Sequence, residues 1–140
     1  MAKNIVLEIV TPDRKVLSEE VEYVEAPGAL GEFGIMANHI PFLSALGIGN
    51  LYYKQNGKYF YVFVAGGFAE VSNNKMTVLA EVAETAAEID LDRAAKAQDK
   101  AKARVAKAQE NIEHARGTAA LRRAISRISC QSAGKQAGTC

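Results

Sequence analysis

The chain reads as an α+β protein that is mainly β: an N-terminal antiparallel β-sandwich or flattened barrel, followed by a C-terminal two-helix hairpin. Three observations predict this. Over the first 80 or so residues, short apolar runs recur between turn clusters, as many short strands require. From Glu81 onward proline and aromatic residues vanish and alanine takes over. Within that second part Ala94, Ala97, Ala101, Val105, Ala108 and Ile112 recur at spacings of three, four, four, three and four, which lines one face of a single helix.

The strands announce themselves in order. Val6-Leu7-Glu8-Ile9-Val10 runs into the turn cluster Thr11-Pro12-Asp13. Residues 16–24 alternate loosely, Val16, Val21 and Tyr23 against Glu20 and Glu22, as a half-buried strand does. Leu51-Tyr52-Tyr53-Lys54 and Tyr59-Phe60-Tyr61-Val62-Phe63-Val64 flank Gln55-Asn56-Gly57-Lys58, where Asn-Gly supplies the positive φ angles of a type I′ turn. Gly66-Gly67 then breaks the strand pattern. Residues 68–71 and 76–80 flank Ser72-Asn73-Asn74, a second hairpin.

In the helical part Asp90 suits an N-cap, and Asp92 sits in the first turn, where the helix dipole favours an anion. A second stripe, Leu121, Ala124, Ile125 and Ile128, marks a second helix ending before Ser129-Cys130. Gly117 falls inside it, at a cost of up to about 1 kcal/mol relative to alanine. Residues 131–140, with two glycines and small polar side chains, read as a disordered tail. The expected organisation is a sandwich over 1–87, a helical domain over 88–130 and the tail. An alanine seam allows close helix approach but holds it weakly, each methyl burying about 0.8 kcal/mol. Residues 107–116 contain no proline or glycine to force a turn. A stable hairpin and a hairpin that exchanges with an extended helix are both compatible with that composition.

Charge is partitioned sharply. Residues 1–88 hold six Lys/Arg against eleven Asp/Glu, a net of −5, and 89–114 hold six against five, a net of +1. Residues 115–140 hold five Lys/Arg and no acid, a net of +5, which suits an acidic surface or an anion. A nucleic-acid partner is a weaker reading, because the basic segment has no aromatic side chain for base stacking. No apolar run is long enough to span a bilayer, and the opening residues carry neither a signal-peptide core nor a transit-peptide pattern, so the expected compartment is the cytosol of a cell, or that of an organelle that makes the protein itself. Cys130 and Cys140 lack metal-ligand spacing with His39 or His114 and read as free thiols.

Catalytic signatures are missing from the sequence: no P-loop, no GxSxG elbow, no HExxH and no CxxC. His39 lies in the loop sequence Met36-Ala37-Asn38-His39-Ile40-Pro41, more apt for a structural or interface histidine than for a base. Gly28, Gly31 and Gly34 do not open a helix and shape a β-domain turn. One constellation stands out. Ile89-Asp90-Leu91-Asp92-Arg93-Ala94 opens the first helix, while Arg122, Arg123 and Arg127 project from the second, the last two four apart on one face. If the helices fold back antiparallel, Arg127 and Arg123 approach Asp90 and Arg93. Guanidinium groups at a helix N-terminus suit a polyphosphate; an inter-helix ion-pair network uses the same residues equally well.

At this level of detail the sequence resembles the epsilon subunit of bacterial-type rotary proton-translocating ATP synthases, over about 5–129. The resemblance rests on Gly31-Glu32-Phe33-Gly34-Ile35 followed by Asn38-His39-Ile40-Pro41-Phe42-Leu43, on Val64-Ala65-Gly66-Gly67-Phe68-Ala69-Glu70-Val71, and on Val78-Leu79-Ala80. Ile89-Asp90-x-x-Arg93-Ala94 and Leu121-x-Arg123-Ala124-x-x-Arg127 complete it.

The resemblance implies a non-catalytic central-stalk subunit, peripheral to the cytoplasmic face of a bacterial inner membrane and needing no cofactor. Its sandwich would dock on the gamma subunit and on the c-ring, with Glu32 and His39 in the rotor-facing loops; the family's Pro-Gly before the histidine is Ala37-Asn38 here. Its helices would extend towards the acidic segment of the catalytic beta subunits, with Arg116 and Arg122 among the contacting cations, and restrain ATP hydrolysis. Some members bind a regulatory ATP on the folded hairpin. The matching positions are Glu84, Asp90, Arg93, Arg123 and Arg127, and a further arginine of that site is Lys100, which keeps the charge but loses the bidentate fork.

Overall fold

The structure, a computed structural model, describes residues 3–140. Eight strands come first: β1 Ile5–Val10, β2 Lys15–Val21, β3 Tyr23–Gly28, β4 Gly31–Met36, β5 Phe42–Ala45, β6 Ile48–Gln55, β7 Lys58–Ser72 and β8 Lys75–Thr85. They are hydrogen-bonded in the order β2-β1-β8-β7-β6-β3-β4, with β5 added on β7. Ile5, Leu7 and Ile9 of β1 nonetheless share one buried core with Val24 and Ala26 of β3 and Ile35 of β4, from the other end of that path. The sheet therefore doubles over on itself into the expected sandwich. Where the chain passes from β2 to β3, Glu22 N donates to Lys54 O of β6 at 2.8 Å.

The purely antiparallel expectation needs one correction. β1 runs parallel to β8, with Leu7 opposite Met76 and Ile9 opposite Val78. A period of two fixes which side chains face the core but says nothing about strand direction.

Local turn chemistry holds as read. Asn56 (φ 52°) and Gly57 (φ 76°) close the β6–β7 hairpin, and Asn73 (φ 52°) and Asn74 (φ 58°) close β7–β8. Gly66 and Gly67 do not break a strand. β7 runs through them in one register with β8, and changes its other neighbour from β6, up to Ala65, to β5, from Phe68. Both have positive φ, and a Cβ on Gly67 would stand 2.0 Å from Leu79 O, so the bend admits no side chain there.

Just before that bend, Val62, Phe63, Val64 and Ala65 are all buried. Successive strand residues face opposite sides, so both faces of β7 are covered here. Val62 and Val64 point into the sandwich core, whereas Phe63 and Ala65 join Ala86, Ile89 and Cys130 in a second cluster on the outer face. Burying a side chain such as Phe63 contributes roughly 1.5–3 kcal/mol, and here that burial fastens the helical part to the sandwich.

A 3-10 turn, Ala86–Glu88, leads into α1, Leu91–Lys107, and then α2, Asn111–Ala137. Asp90 caps α1, its Oδ1 accepting from Arg93 N at 3.1 Å. The apparent single stripe from Ala94 to Ile112 is interrupted: Ala108 and Glu110 are extended, and Ile112 lies exposed on α2. The chain reverses here without glycine or proline because the returning helix finds a partner. Gly117 takes part in that contact. A Cβ at this position would come within 3.0 Å of Val105 Cγ2 and 3.3 Å of Val105 N, so the missing side chain lets the helices approach.

The expected disordered tail is a further correction. α2 continues through 131–137 and closes on Gly138 in the left-handed conformation, φ 73°. Tertiary packing of Cys130 and Gly134, both buried, outweighs the weak helix propensity of this stretch.

Candidate functional site

The end of β8, the start of α1 and the middle of α2 enclose a cleft lined by Glu84, Glu88, Ile89, Asp90, Arg93 and Arg127, with Ala94 and Ala97 as its apolar wall. β8 delivers Glu84 as an outward residue paired with Phe63 on β7. α2 delivers Arg127 directly above: its Nε donates to Glu84 Oε1 at 2.6 Å, and its guanidinium carbon stands 4.5 Å from the Phe63 ring centroid. Arg127 and Glu84 side chains are 26% and 31% exposed, so the pair is screened less than a surface bridge.

Glu88 faces the β1–β2 turn, where Arg14 grips it through Nη1 at 3.2 Å and Nη2 at 2.5 Å. That two-pronged hydrogen bond holds the Glu88 carboxyl below its ordinary value against the opposing effect of burial. Three carboxylates, Glu84, Glu88 and Asp90, thus face two guanidinium groups, Arg93 and Arg127, in the cleft. The arrangement offers an anion two cations and a helix N-terminus, on condition that Arg127 lets go of Glu84.

The other sequence-flagged residues fall elsewhere. Arg123 does not enter this cleft; with Arg122 it lines a groove on the far side of α2, against Gly28, Gly47, Gly66 and Glu81. Neither arginine has a hydrogen-bond or ion-pair partner among the described residues. Lys100 lies at the other end of the hairpin with Arg104, Glu110 and Glu113, about 15 Å along α1 from Asp90 at 1.5 Å per residue. Arg116 pairs with Glu113 at 3.4 Å, and Arg104 reaches the same carboxylate at 3.7 Å.

In the sandwich, Glu32 is exposed near the start of β4, and His39 lies three residues beyond its end. The His39 ring sits edge-on to Phe42, 5.9 Å between centroids, and Phe42 packs on Phe33. Asn38 takes the positive φ of 63° at the position where the resembled family has glycine, and its N–H donates to Asn74 Oδ1 at 2.8 Å. Asparagine is the side chain that tolerates this conformation best.

Sequence reasoning missed Arg14, Phe63 and Cys130. Phe63 was visible as the centre of an uninterrupted apolar run, which in a strand signals two covered faces. Cys130 is fully buried against the Phe63 cluster, and burial pushes its thiol up to about 12. No comparable signal marked Arg14, whose partner lies 74 residues away.

The class of architecture is thus a β-sandwich with a helical hairpin fastened across one face by apolar burial, the shielded Arg127–Glu84 pair and side-chain hydrogen bonds of α2 and its cap. The beta-sandwich domain of the ATP synthase delta/epsilon chain matches residues 4–86, and the long alpha-helix domain of the same chain matches 87–130. The ATP synthase epsilon chain of Maridesulfovibrio salexigens is 68% identical over 139 residues, 99% of this chain and 98% of the relative. That of Nitratidesulfovibrio vulgaris (strain DP4) is 63% identical over 128 residues, 91% of this chain and 96% of the relative. Among solved structures, a chain of the Euglena gracilis mitochondrial ATP synthase OSCP/F1/c-ring assembly superposes with a TM-score of 0.79 at 25% identity, covering 92% of this chain and 82% of that one. This chain belongs to the ATP synthase epsilon-chain family, and so is a subunit of the central stalk. No helix among the described residues is long and apolar enough to cross a membrane.

Proposed function

We propose that the chain is a non-catalytic docking and regulatory subunit, held to the rotor by its sandwich and restraining ATP hydrolysis through a hairpin that can leave that sandwich. Its place is the cytoplasmic face of a bacterial inner membrane. The observation that carries the reading is the nature of the hairpin contact. Its buried helical positions are small, Ala94 and Ala101 on α1 and Gly117 and Ala124 on α2. Asn50 Nδ2 donates to Ser129 Oγ at 3.3 Å, while Asn50 Oδ1 is buried without a partner among the described residues. An unpaired buried acceptor costs about 1–3 kcal/mol, and the open hairpin relieves it. Arg122 and Arg123, without partners among the described residues, are then presented with Arg116 to the acidic surface of a catalytic beta subunit.

The docking role rests on an exposed apolar row. Phe68 and its cross-strand partner Leu79 share a face with Leu43, and all three are more than half exposed. Such a face suits the gamma subunit, and the loops carrying Glu32 and His39 suit the c-ring. Removing residues 90–140 should leave assembly intact and raise the ATPase activity of the complex. Intact assembly with no rise would overturn the inhibitory role.

A second reading, a regulatory ATP site in the cleft, is favoured by Arg93 and Arg127 beside the capped N-terminus of α1. Arg123 would have to swing across α2 to join them. Calorimetry of the full chain with ATP tests it: binding weakened by Arg127→Ala is expected, and no heat at millimolar ATP would rule the site out.

A further inference from the structure

Residues 131–140 lie beyond the helical domain that the family shares, and they are built into the fold. α2 ends in a Schellman cap: Gly138 N donates to Lys135 O at 3.1 Å and Thr139 N to Gly134 O at 2.9 Å. The cap turns the chain back onto the sandwich. Thr139 Oγ1 donates to Tyr59 O at 2.8 Å, a contact spanning 80 residues of sequence.

The receiving site is specific. β8 pairs with β7 only from Val62 onward, so Tyr59 lies beyond the end of β8. The outer side of β7 is unladdered there, so the carbonyl of exposed Tyr59 is open to a donor from outside the sheet, and Thr139 supplies it. Beneath the cap, Gly134 lies so close to the 3-10 turn that a Cβ would stand 2.8 Å from Ala86 Cβ and 2.9 Å from Cys140 Sγ. Cys140 Sγ in turn lies 3.6 Å from Gln131 O. The last turn of α2, its cap and the start of β7 are thus one packed unit, next to buried Cys130.

We propose that residues 131–140 are a C-terminal anchor, which ties α2 to the uncovered stretch of β7 and sets how readily the hairpin is released from the sandwich. The regulatory consequence rests on the reading above, in which the hairpin opens; the anchor itself is defined by attachment alone. Loss of the Thr139 hydrogen bond should raise the released population about five-fold, and loss of the whole cap about ten-fold or more.

Cys130 supplies the readout, since its thiol is fully buried until α2 lifts. In the full chain carrying Cys140→Ser, the rate of Cys130 labelling by an aromatic disulfide at pH 8 is measured for Thr139→Val, Gly134→Ala and a chain ending at residue 137. Arg127→Ala serves as a release control, and near-UV circular dichroism of the sandwich tyrosines reports global folding. The expected result is faster labelling in all three variants with the tyrosine signal intact. Labelling unchanged in Thr139→Val and in the shortened chain, or accelerated only together with loss of the tyrosine signal, would overturn the anchor. ATPase assays of the complex lacking 90–140 remain a separate test: an anchor upheld here alongside unaltered ATPase would remove the inhibitory reading and leave the anchor standing.

Discussion

Arg127 and Glu84 close the gap between α2 and β8 with a 2.6 Å charge-assisted hydrogen bond roofing the Phe63 ring. One guanidinium thus joins an ion pair, an aromatic face and a cleft wall, and it is the group that any anion entering the cleft must compete for. Replacing it should cost attachment of the hairpin about 2 kcal/mol, given 1.5–3 for a hydrogen bond between charged groups and up to about 1 for the cation–π contact. Arg127→Lys should recover only part of this, because an ammonium cannot both lie flat on Phe63 and reach Glu84 as the planar fork does. A double-mutant cycle with Glu84→Gln, read by Cys130 labelling, measures the coupling; additivity of the two changes would show that the pair contributes nothing.

The Arg14–Glu88 contact should make stability depend on pH at the acid end. The folded Glu88 carboxyl is held low by the Arg14 hydrogen bond, so its contribution is fully present above the unfolded value of about 4.3. It is lost as pH falls through the folded value. Both partners are more than a third exposed, so solvent and salt keep the effect small. Thermal melts between pH 2 and 6 at low ionic strength should show the loss in the native chain, and Glu88→Gln should remove that part of the slope.

Gly117 should tolerate a methyl and nothing larger. Alanine gains about 1 kcal/mol of helix propensity, set against a Cβ that needs Val105 to yield by a few tenths of an ångström, so Gly117→Ala is expected near neutral. Gly117→Leu drives α1 and α2 apart and should destabilise the hairpin by about 1–3 kcal/mol. Helical circular dichroism during denaturation distinguishes the two; a neutral leucine variant would mean that the close approach carries no constraint.

The loop before His39 depends on a left-handed Asn38. Asn38→Gly should leave the melting temperature close to native, whereas Asn38→Val should cost about 1–2 kcal/mol and displace His39 from its edge contact with Phe42. A valine variant as stable as glycine would show that the loop readily takes another conformation.

Features legible in the sequence are those fixed by neighbouring residues. Asn56-Gly57 and Asn73-Asn74 close their hairpins because few side chains accept positive φ, and Asp90 caps α1 because its carboxylate reaches a nearby N–H. Arg127 reaches the cleft as antiparallel helices require. Arg123, one turn earlier, does not: a long flexible side chain is placed by what it packs against, and α2 presents it to the groove beside Gly47.

By itself, then, the sequence determined the two-part architecture, the turns, the helix start and the family, because periodicity, backbone preference and ordered motifs are written along the chain. Tertiary structure decided the rest: the parallel β1–β8 pair, the continuity of β7 through Gly66 and Gly67, the division of the arginines between two grooves, and the fate of residues 131–140. That last stretch has weak propensity and few apolar groups. It is helical because buried Gly134 and Thr139 meet the 3-10 turn and an uncovered strand carbonyl, partners that only folding brings within reach.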